Sequence, residues 1–311
     1  MIVMAATRLP LDALQAAFAE RLRLDEPVGR LTSARIGGRA DAVVLVRSAA
    51  ELAQAAQTLW QLELPFVVMG GGSNMLVSDA GVREVVVLNE ANQVQFHEGP
   101  DPSVWAESGA GLGGIARQAA RKGLSGLEWA AGIPGTLGGA VAGNAGAHGG
   151  DVASCLELAT ILHRELGQQT WSAAELAFAY RESWLKRNPG QAVVLSAQLA
   201  LSHKPEAEIR AQMDAFLAHR RRTQPPGASM GSMFKNPPGE SAGRLIEQAG
   251  LKGMRIGNAQ ISPLHGNFFL NLGQARASDV WALIQQARQA VQDRAGIDLE
   301  LEVQLVGEWA Q

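Results

Sequence analysis

The sequence predicts a globular chain of mixed helices and strands in two domains or three. Three observations carry this expectation. At 311 residues the chain is longer than one domain of roughly 150 residues. Its composition, 47% hydrophobic and 18% charged, supplies a sizeable core and excludes a disordered, collagen-like or coiled-coil chain. Segments of helical period also alternate with segments of strand character along its length.

Taken in order, residues 11–22 read as an Ala-rich amphipathic helix. Residues 41–47 (DAVVLVR) read as a strand. Ser48 is placed to cap a helix running to about residue 62, with Glu51 completing a capping box. PFVVM at 65–69 is the next strand, so the three elements make a βαβ unit. A Gly70–Asn74 loop follows, then the strand EVVVL at 84–88. The composition turns polar over 89–102, which marks a subdomain boundary. A short strand at 104–108 and a helix at 115–121 precede a long Gly-rich stretch, and 193–201 is a further strand. Residues 205–222 form a helix with Ile209, Met213, Phe216 and Leu217 on one face, taken here as opening the last domain. Residues 241–249 form a short capped helix ending at Gly250, and 278–294 a longer one. Residues 297–306 alternate as a strand should, with Leu299, Leu301, Val303 and Leu305 opposite Asp298, Glu300, Glu302 and Gln304.

Charge and composition exclude several functions. A formal net charge of -3 gives no overall attraction to nucleic acid or an anionic membrane. A single cysteine, Cys155, rules out a disulfide framework and a cysteine metal cluster, and it suits a reducing cytoplasm. The six histidines show no metal-ligand spacing, so no metal is expected. The N-terminus lacks the apolar stretch of a signal peptide. The longest uncharged stretch, 129–150, holds eight glycines and is too broken for a membrane helix.

Glycine is the outlier at 35 residues, and its clusters offer three candidate phosphate-binding loops. Backbone without Cβ atoms can approach a phosphate and point its N–H groups inward. Gly70, Gly71, Gly72, Ser73 and Asn74 follow a strand and suit a pyrophosphate cradle, although a tight turn would also use glycine. No Gly-Lys-Ser/Thr follows, so this is not a P-loop. Gly109–Gly114 fits G-x-G-x-x-G with Glu128 downstream, but no second parallel strand carries that acid. Close packing of a helix on a strand is the alternative there. The stretch from Gly132 to Gly146 suits backbone wrapped around a large ligand, or backbone packed on backbone.

Read together, the motifs form an ordered series: Ile36-Gly37-Gly38, GGGSN at 70–74, GIPGTLGGA at 132–140 and GNAGAHG at 143–149. It continues through Tyr180-Arg181-x-Ser183, GSMFKNP at 231–237, AGRLIEQAGLKG at 242–253, His265-x-Asn267-Phe268 and the terminal LELEVQLVG. The series resembles the UDP-N-acetylenolpyruvoylglucosamine reductase (MurB) family over residues 33–307. That resemblance implies an α+β fold: a two-subdomain FAD-binding domain of the vanillyl-alcohol-oxidase (PCMH) type, at 1–95 and 96–203, and a smaller α+β substrate domain at 204–311. It implies FAD and NADPH as cofactors, a UDP-sugar enolpyruvyl ether as substrate, and a cytoplasmic oxidoreductase of peptidoglycan precursor synthesis, monomeric by default. FAD would be held by Ile36, Gly37, Gly70–Asn74, Gly132, Ile133, Pro134, Gly135, Thr136, Gly139, Asn144, Ala145 and Gly146. Some members insert a loop with a substrate-contacting tyrosine after the Tyr-Arg motif. Here about fifty residues separate Arg181 from Ser232, and Tyr180 is the only tyrosine. The chain therefore resembles the shorter type.

The same resemblance assigns catalysis to Arg181, Ser232 and Glu302, and substrate contacts to Tyr180, Lys235 and Asn236. The chemistry is consistent with those residue types. A guanidinium matches a carboxylate and stays charged. A glutamate beside a substrate carboxylate is driven toward its neutral form, which can donate a hydrogen bond. A hydroxyl polarised by its neighbours can deliver a proton. By sequence alone Arg181 could equally pair with Glu182, Glu302 could face solvent, and Ser229 competes with Ser232. The basic run His219–Arg222 is either a solvated helix end or an attractor for a diphosphate. Another FAD oxidoreductase, a nicotinamide enzyme using Gly109, or a non-catalytic nucleotide-sugar binder are the competing functions.

Overall fold

A computed structural model describes residues 9–309 of the chain. Helix α1 (Leu11–Phe18) is shorter than expected. Its path breaks at Ala19, where φ is +45°, and the chain enters strand β1 (Leu22–Pro27) instead. That strand is rich in charge and lies at a sheet edge, and its Leu22/Leu24 alternation stops at Asp25, too short to betray it. Strands β2 (Arg39–Val46), β3 (Phe66–Met69) and β5 (Val82–Asn89) are mutually parallel. Between β3 and β5 lies the short strand β4 (Met75–Val77). The sheet order is β1-β2-β5-β3, so the expected βαβ unit forms with β5 inserted between its two strands.

Helix α2 (Ala49–Gln61) makes that crossover. The Ser48 hydroxyl accepts from the Glu51 N–H at 3.2 Å, as a cap should. The Glu51 carboxylate reaches one residue further back than a capping box requires, to the Arg47 N–H at 2.7 Å. Leu52, Ala55, Ala56 and Leu59 face inward from α2, against Val44, Val85 and Val87 on one side and Leu162, Val193 and Leu195 on the other. The helix is therefore sandwiched between the first sheet and the second.

The second sheet is antiparallel throughout. Strands β6 (Val94–His97), β7 (Ser103–Glu107), β8 (Leu156–His163), β9 (Gly167–Trp171) and β10 (Ala192–Ala200) stand in the order β9-β8-β10-β7-β6. Its core takes in α3 (Leu112–Arg121), α4 (Leu137–Ala142) and α5 (Val152–Cys155), with Trp129, Ile115 and Val141 among them. The buried Glu107 carboxylate joins the two units by accepting from the N–H of Ala49 at 2.7 Å and of Gln93 at 2.9 Å.

After the short helix α6 (Trp184–Arg187), helix α7 (Glu206–Thr223) buries Ile209 and Met213 against Ala120 and Ala131. Its packing is thus on the second unit, although the sequence placed it at the opening of the third. The third unit has strands β11 (Ala228–Ser232), β12 (Arg255–Ile256), β13 (Ala259–Ile261) and β14 (Phe268–Asn271), in the order β11-β14-β13-β12. Helices α8 (Ala242–Gln248) and α9 (Ala277–Ala295) cover it through Leu245, Ile246, Val280, Leu283 and Ile284. Among the described residues no helix is long and apolar enough to cross a membrane.

The strand expected over 297–306 is mostly absent. Only β15 (Gln304–Val306) pairs in a ladder, parallel to β4 of the first unit. Residues 299–303 still run with alternating exposure, Leu299 and Val303 buried and Glu300 exposed, because any extended backbone alternates its side chains.

Asp79 ties the first unit to the third. Its carboxylate accepts from the first N–H groups of α9, Ala277 at 2.8 Å and Ser278 at 2.9 Å. Burial opposes its charge, but these hydrogen bonds prevail and hold Asp79 below the usual carboxylate value. A lowered folded value means the contribution is present above the ordinary aspartate value of about 3.9 and is lost as pH falls through the lowered one. Asp79→Ala should cost about 1 kcal/mol at neutral pH, the usual worth of a cap. Urea melts at neutral and strongly acidic pH should show the gap from the parent protein closing in acid.

Candidate active site

The glycine loops meet each other. A Cβ on Gly70 would lie 2.4 Å from Thr136 Oγ1, and one on Gly135 would lie 2.6 Å from Ser73 Oγ. Gly135 also has φ +107° and Gly72 φ +54°, conformations that a side chain resists. Ser73 donates to the Pro134 carbonyl at 3.4 Å. GGGSN and GIPGT thus face each other across the first and second units. The cleft beside them is lined by Gly70, Gly71, Asn89, Asn92, Gly109 and Thr136 and has a volume of about 580 Å³. That lies in the range of about 300–1,000 Å³ usual for small-ligand sites.

Part of the G-x-G-x-x-G stretch serves packing, whereas a Cβ on Gly111 or Gly114 would meet nothing within 4 Å. A Cβ on Gly109 would strike the Ala91 carbonyl at 2.5 Å, Gly111 bridges Thr136, and the Leu137 N–H donates to the Ala110 carbonyl at 2.8 Å. Glu128 is buried and accepts from the Gly126 N–H, with no place at a strand end. The dinucleotide-fingerprint alternative is excluded by this geometry.

Several residues expected to hold FAD have other visible partners. The Ile36 side chain is buried in the core beneath Phe234, and a Cβ on Gly37 would lie 2.6 Å from that of Val77. Ile133 packs on the core of the second unit, and the Arg220 side chain lies over Gly132. Gly139 has room, its nearest neighbour being Thr136 Oγ1 at 3.7 Å. Asn144 (φ +41°) donates to the Ala179 carbonyl at 3.1 Å and accepts from the Ala153 N–H at 3.0 Å. Ala145 accepts from the Val152 N–H, and the Gly146 carbonyl accepts from Arg181 Nη2 at 2.9 Å. The GNAGAHG loop therefore holds the Tyr-Arg loop in place.

Arg181 sits at the tip of a tight turn in which Ala179 and Glu182 exchange both backbone hydrogen bonds. Its φ is +58°, its guanidinium lies 5.7 Å from the Tyr180 ring centroid, and Tyr180 is exposed. Arg181 Nε stands 3.1 Å from Glu302 Oε1. That is an ion pair by distance but is misaligned for a hydrogen bond, so the buried Nε–H has no acceptor. Arg181 pairs with Glu302 in place of the neighbouring Glu182.

Glu302 is carried by the extended C-terminal segment. Its N–H donates to the Met233 carbonyl at 2.9 Å, and its carbonyl accepts from Asn74 Nδ2 at 3.0 Å. Burial pushes its carboxyl above the usual glutamate value, against the opposing pull of Arg181, Lys186 and Lys235. Ser232 ends β11, opposite Phe268 and one residue before Met233, and its hydroxyl makes no hydrogen bond among the described residues. Ser229 lies earlier on β11, opposite Leu270. Asn267, buried, clamps the turn that follows Ser232 by bonding both backbone groups of Phe234.

Lys235 was expected to meet substrate. It is buried and bridges Glu182 and Glu300, each at 2.5 Å. Burial works against its charge, but these two partners hold it above the usual lysine value. Asn236 is exposed, and its side-chain oxygen accepts from the Ala242 N–H at the start of α8. A second cleft of about 590 Å³ opens between the GNAGAHG loop, the end of α7 and the third unit, lined by His148, His219, Arg220, Arg222, Gln224 and His265. Sequence reasoning missed Asn267 as a clamp and Lys186 as a neighbour of the charged cluster. Asn267 lies inside a recognisable motif, but its partner Phe234 is distant in sequence; Lys186 lies just beyond the Tyr-Arg motif.

The fold and the matched domains define the class first: a FAD-binding oxidoreductase with an added third unit. The family model described as "FAD binding domain" matches residues 40–165. Residues 223–306 match the family model "UDP-N-acetylenolpyruvoylglucosamine reductase, C-terminal domain". The UDP-N-acetylenolpyruvoylglucosamine reductase of Chloroflexus aggregans is 43% identical over 92% of this chain and 97% of its own, and that of Listeria innocua 38% over 96% and 99%. The crystal structure of MurB from Thermus caldophilus superposes with a TM-score of 0.77 at 39% identity, over 92% of this chain and 98% of that one. The chain belongs to the UDP-N-acetylenolpyruvoylglucosamine reductase family, whose members are FAD- and NADPH-dependent oxidoreductases.

Gly135→Ala should separate the two glycine loops. The expected result is a fall in the flavin-to-protein absorbance ratio after purification and a loss of about 1–3 kcal/mol from the strained backbone.

Proposed function

We propose that this chain reduces the enolpyruvyl group of UDP-N-acetylglucosamine enolpyruvate to give UDP-N-acetylmuramate, with Arg181, Glu302 and Ser232 as its working groups. One observation carries the assignment. The C-terminal segment sets Glu302 against Arg181 at 3.1 Å while its backbone bonds the carbonyl next to Ser232. A guanidinium and an acid from separated stretches of sequence thus meet, and the backbone next to the alcohol is tied to that acid, which supports the reading.

FAD, held by the 70–74 and 132–136 loops, would pass hydride equivalents from NADPH to the substrate. The chain's own groups manage the charge that results. When hydride reaches the terminal vinyl carbon, the π pair moves to the carbon bearing the carboxylate and spreads onto the carboxylate oxygens. The Arg181 guanidinium, with its unbonded Nε–H, holds that carboxylate and stabilises the growing charge. Glu302, already raised by burial, is raised further by the substrate's negative charge and donates a hydrogen bond in its neutral form. The Ser232 hydroxyl then protonates the carbon.

The second cleft supports the nucleotide half of the substrate. Ala147, in its wall, follows the Gly146 that anchors Arg181, and His265 is three residues from the partner of Ser232. A lining of histidines and arginines without an acid suits a diphosphate close to the reacting group. A cytoplasmic location and a monomeric state belong to the same proposal.

Ser232→Ala should leave bleaching of the bound flavin by NADPH nearly intact. It should slow the recovery of colour on adding the enolpyruvyl UDP-sugar by roughly 10²–10⁴-fold. Equal losses in both halves, in anaerobic stopped flow, would remove Ser232 from the donor role.

Turnover requires protonated Glu302, so kcat should decline as pH rises through its raised value. Glu302→Gln should lower kcat by roughly 10²-fold and flatten that alkaline limb. An unchanged limb in the pH profile would assign it to another group.

A further inference from the structure

We propose that Lys186 is a positioning residue, which aims Arg181 by binding its backbone carbonyl and completes a balanced cluster of charges around Glu302. The proposal rests on the reductase reading above. Arg181 carries the site's guanidinium on a backbone with φ +58°, in the middle of a two-residue turn. A non-glycine residue held there costs on the order of 1–3 kcal/mol and persists only where its surroundings over-determine it.

The structure shows what determines it. The Arg181 side chain is tethered by Nη2 to the Gly146 carbonyl, and its backbone by Lys186 Nζ, which donates to the Arg181 carbonyl at 3.1 Å. Lys186 lies on α6, five residues on. That helix is itself pinned, because the buried Ser183 hydroxyl donates to the Ala142 carbonyl at 2.6 Å and accepts from the Lys186 N–H at 3.3 Å. Lys186 therefore reaches back from a fixed base to the strained residue.

The charges form a closed account. Arg181, Lys186 and Lys235 are interleaved with Glu182, Glu300 and Glu302. The groups facing Glu302 are the three cations, and those facing Lys186 are Lys235 and the three carboxylates. Lys186 as a residue is exposed, and partial desolvation together with the charge of Lys235 pushes its ammonium below the usual lysine value. A cation placed against those costs acts on the acid it faces. Its charge favours the ionised form of Glu302, so its removal raises the proton affinity of that carboxyl.

The test is steady-state and pH kinetics on the FAD-loaded enzyme, with Lys186→Met and Lys186→Arg. Wild-type NADPH oxidation dependent on the enolpyruvyl UDP-sugar must be seen first; its absence would sink the reductase reading rather than this one. Lys186→Met is expected to lower kcat by roughly 10–100-fold with flavin bleaching by NADPH unchanged, and to move the alkaline limb of the kcat profile upward. Lys186→Arg keeps a charged donor, so it should recover most of the rate and return the limb toward the parent position. A Lys186→Met enzyme with kcat within about twofold of the parent, or one that loses rate with an unmoved limb, overturns the proposal. If the methionine variant does not fold, Lys186→Arg and Lys186→Gln give the same comparison. Equal kcat and equal limbs in those two are then the overturning result.

Discussion

The site depends on the extended C-terminal segment that threads between the first and third units. Gln304 N–H donates to the Asn74 carbonyl at 2.9 Å, Asn74 Nδ2 donates back to the Glu302 carbonyl, and Lys235 N–H donates to the Glu300 carbonyl at 2.8 Å. Each bond is worth only about 0.5–1.5 kcal/mol. Together they fix one acid relative to the glycine loop on one side and to the Ser232 turn on the other. The segment joins its ladder only at Gln304, and the residues before it bond the turn that follows Ser232.

Around that segment the protein organises charge by opposition. Lys235 is buried where a cation is unfavourable, and two carboxylates compensate it. Glu302 is buried where an anion is unfavourable, and the nearby cations moderate the effect without removing it. The cluster holds three cations and three acids, so an incoming substrate carboxylate unbalances it. Protonation of the most buried acid restores the balance. Its geometry is thus suited to coupling substrate binding with the protonation state that turnover needs.

The glycines divide into two kinds of work. Gly70 and Gly135 let two loops from different units touch and border an open cleft. Gly109 and Gly146 let backbone lie on backbone, against Ala91 and Gly150. Sequence spacing does not separate these uses, which is why G-x-G-x-x-G at 109–114 resembles a dinucleotide fingerprint although its first glycine packs on Ala91. The same limit applied to Asn144 and Gly146, whose visible partners orient the arginine loop.

The sequence by itself determined the elements with local causes: the Ser48 cap on α2, the apolar runs of β2, β3 and β5, and the Gly250 stop after α8. It also determined the family, because an ordered series of motifs retains its meaning without coordinates. Edge strand β1 escaped it, since a charged edge carries little periodic signal, and the short β6 lies within the polar stretch 89–102. Only the tertiary structure decided that α7 packs on the second unit, that Lys235 is held by Glu182 and Glu300, and that Arg181 faces Glu302 rather than its neighbour. Those outcomes turn on which side chains meet across separations from 53 residues, between Lys235 and Glu182, to more than a hundred, between Arg181 and Glu302. Local propensity is blind to such meetings, because their free energy comes from burial and from charges brought together only when the three units close.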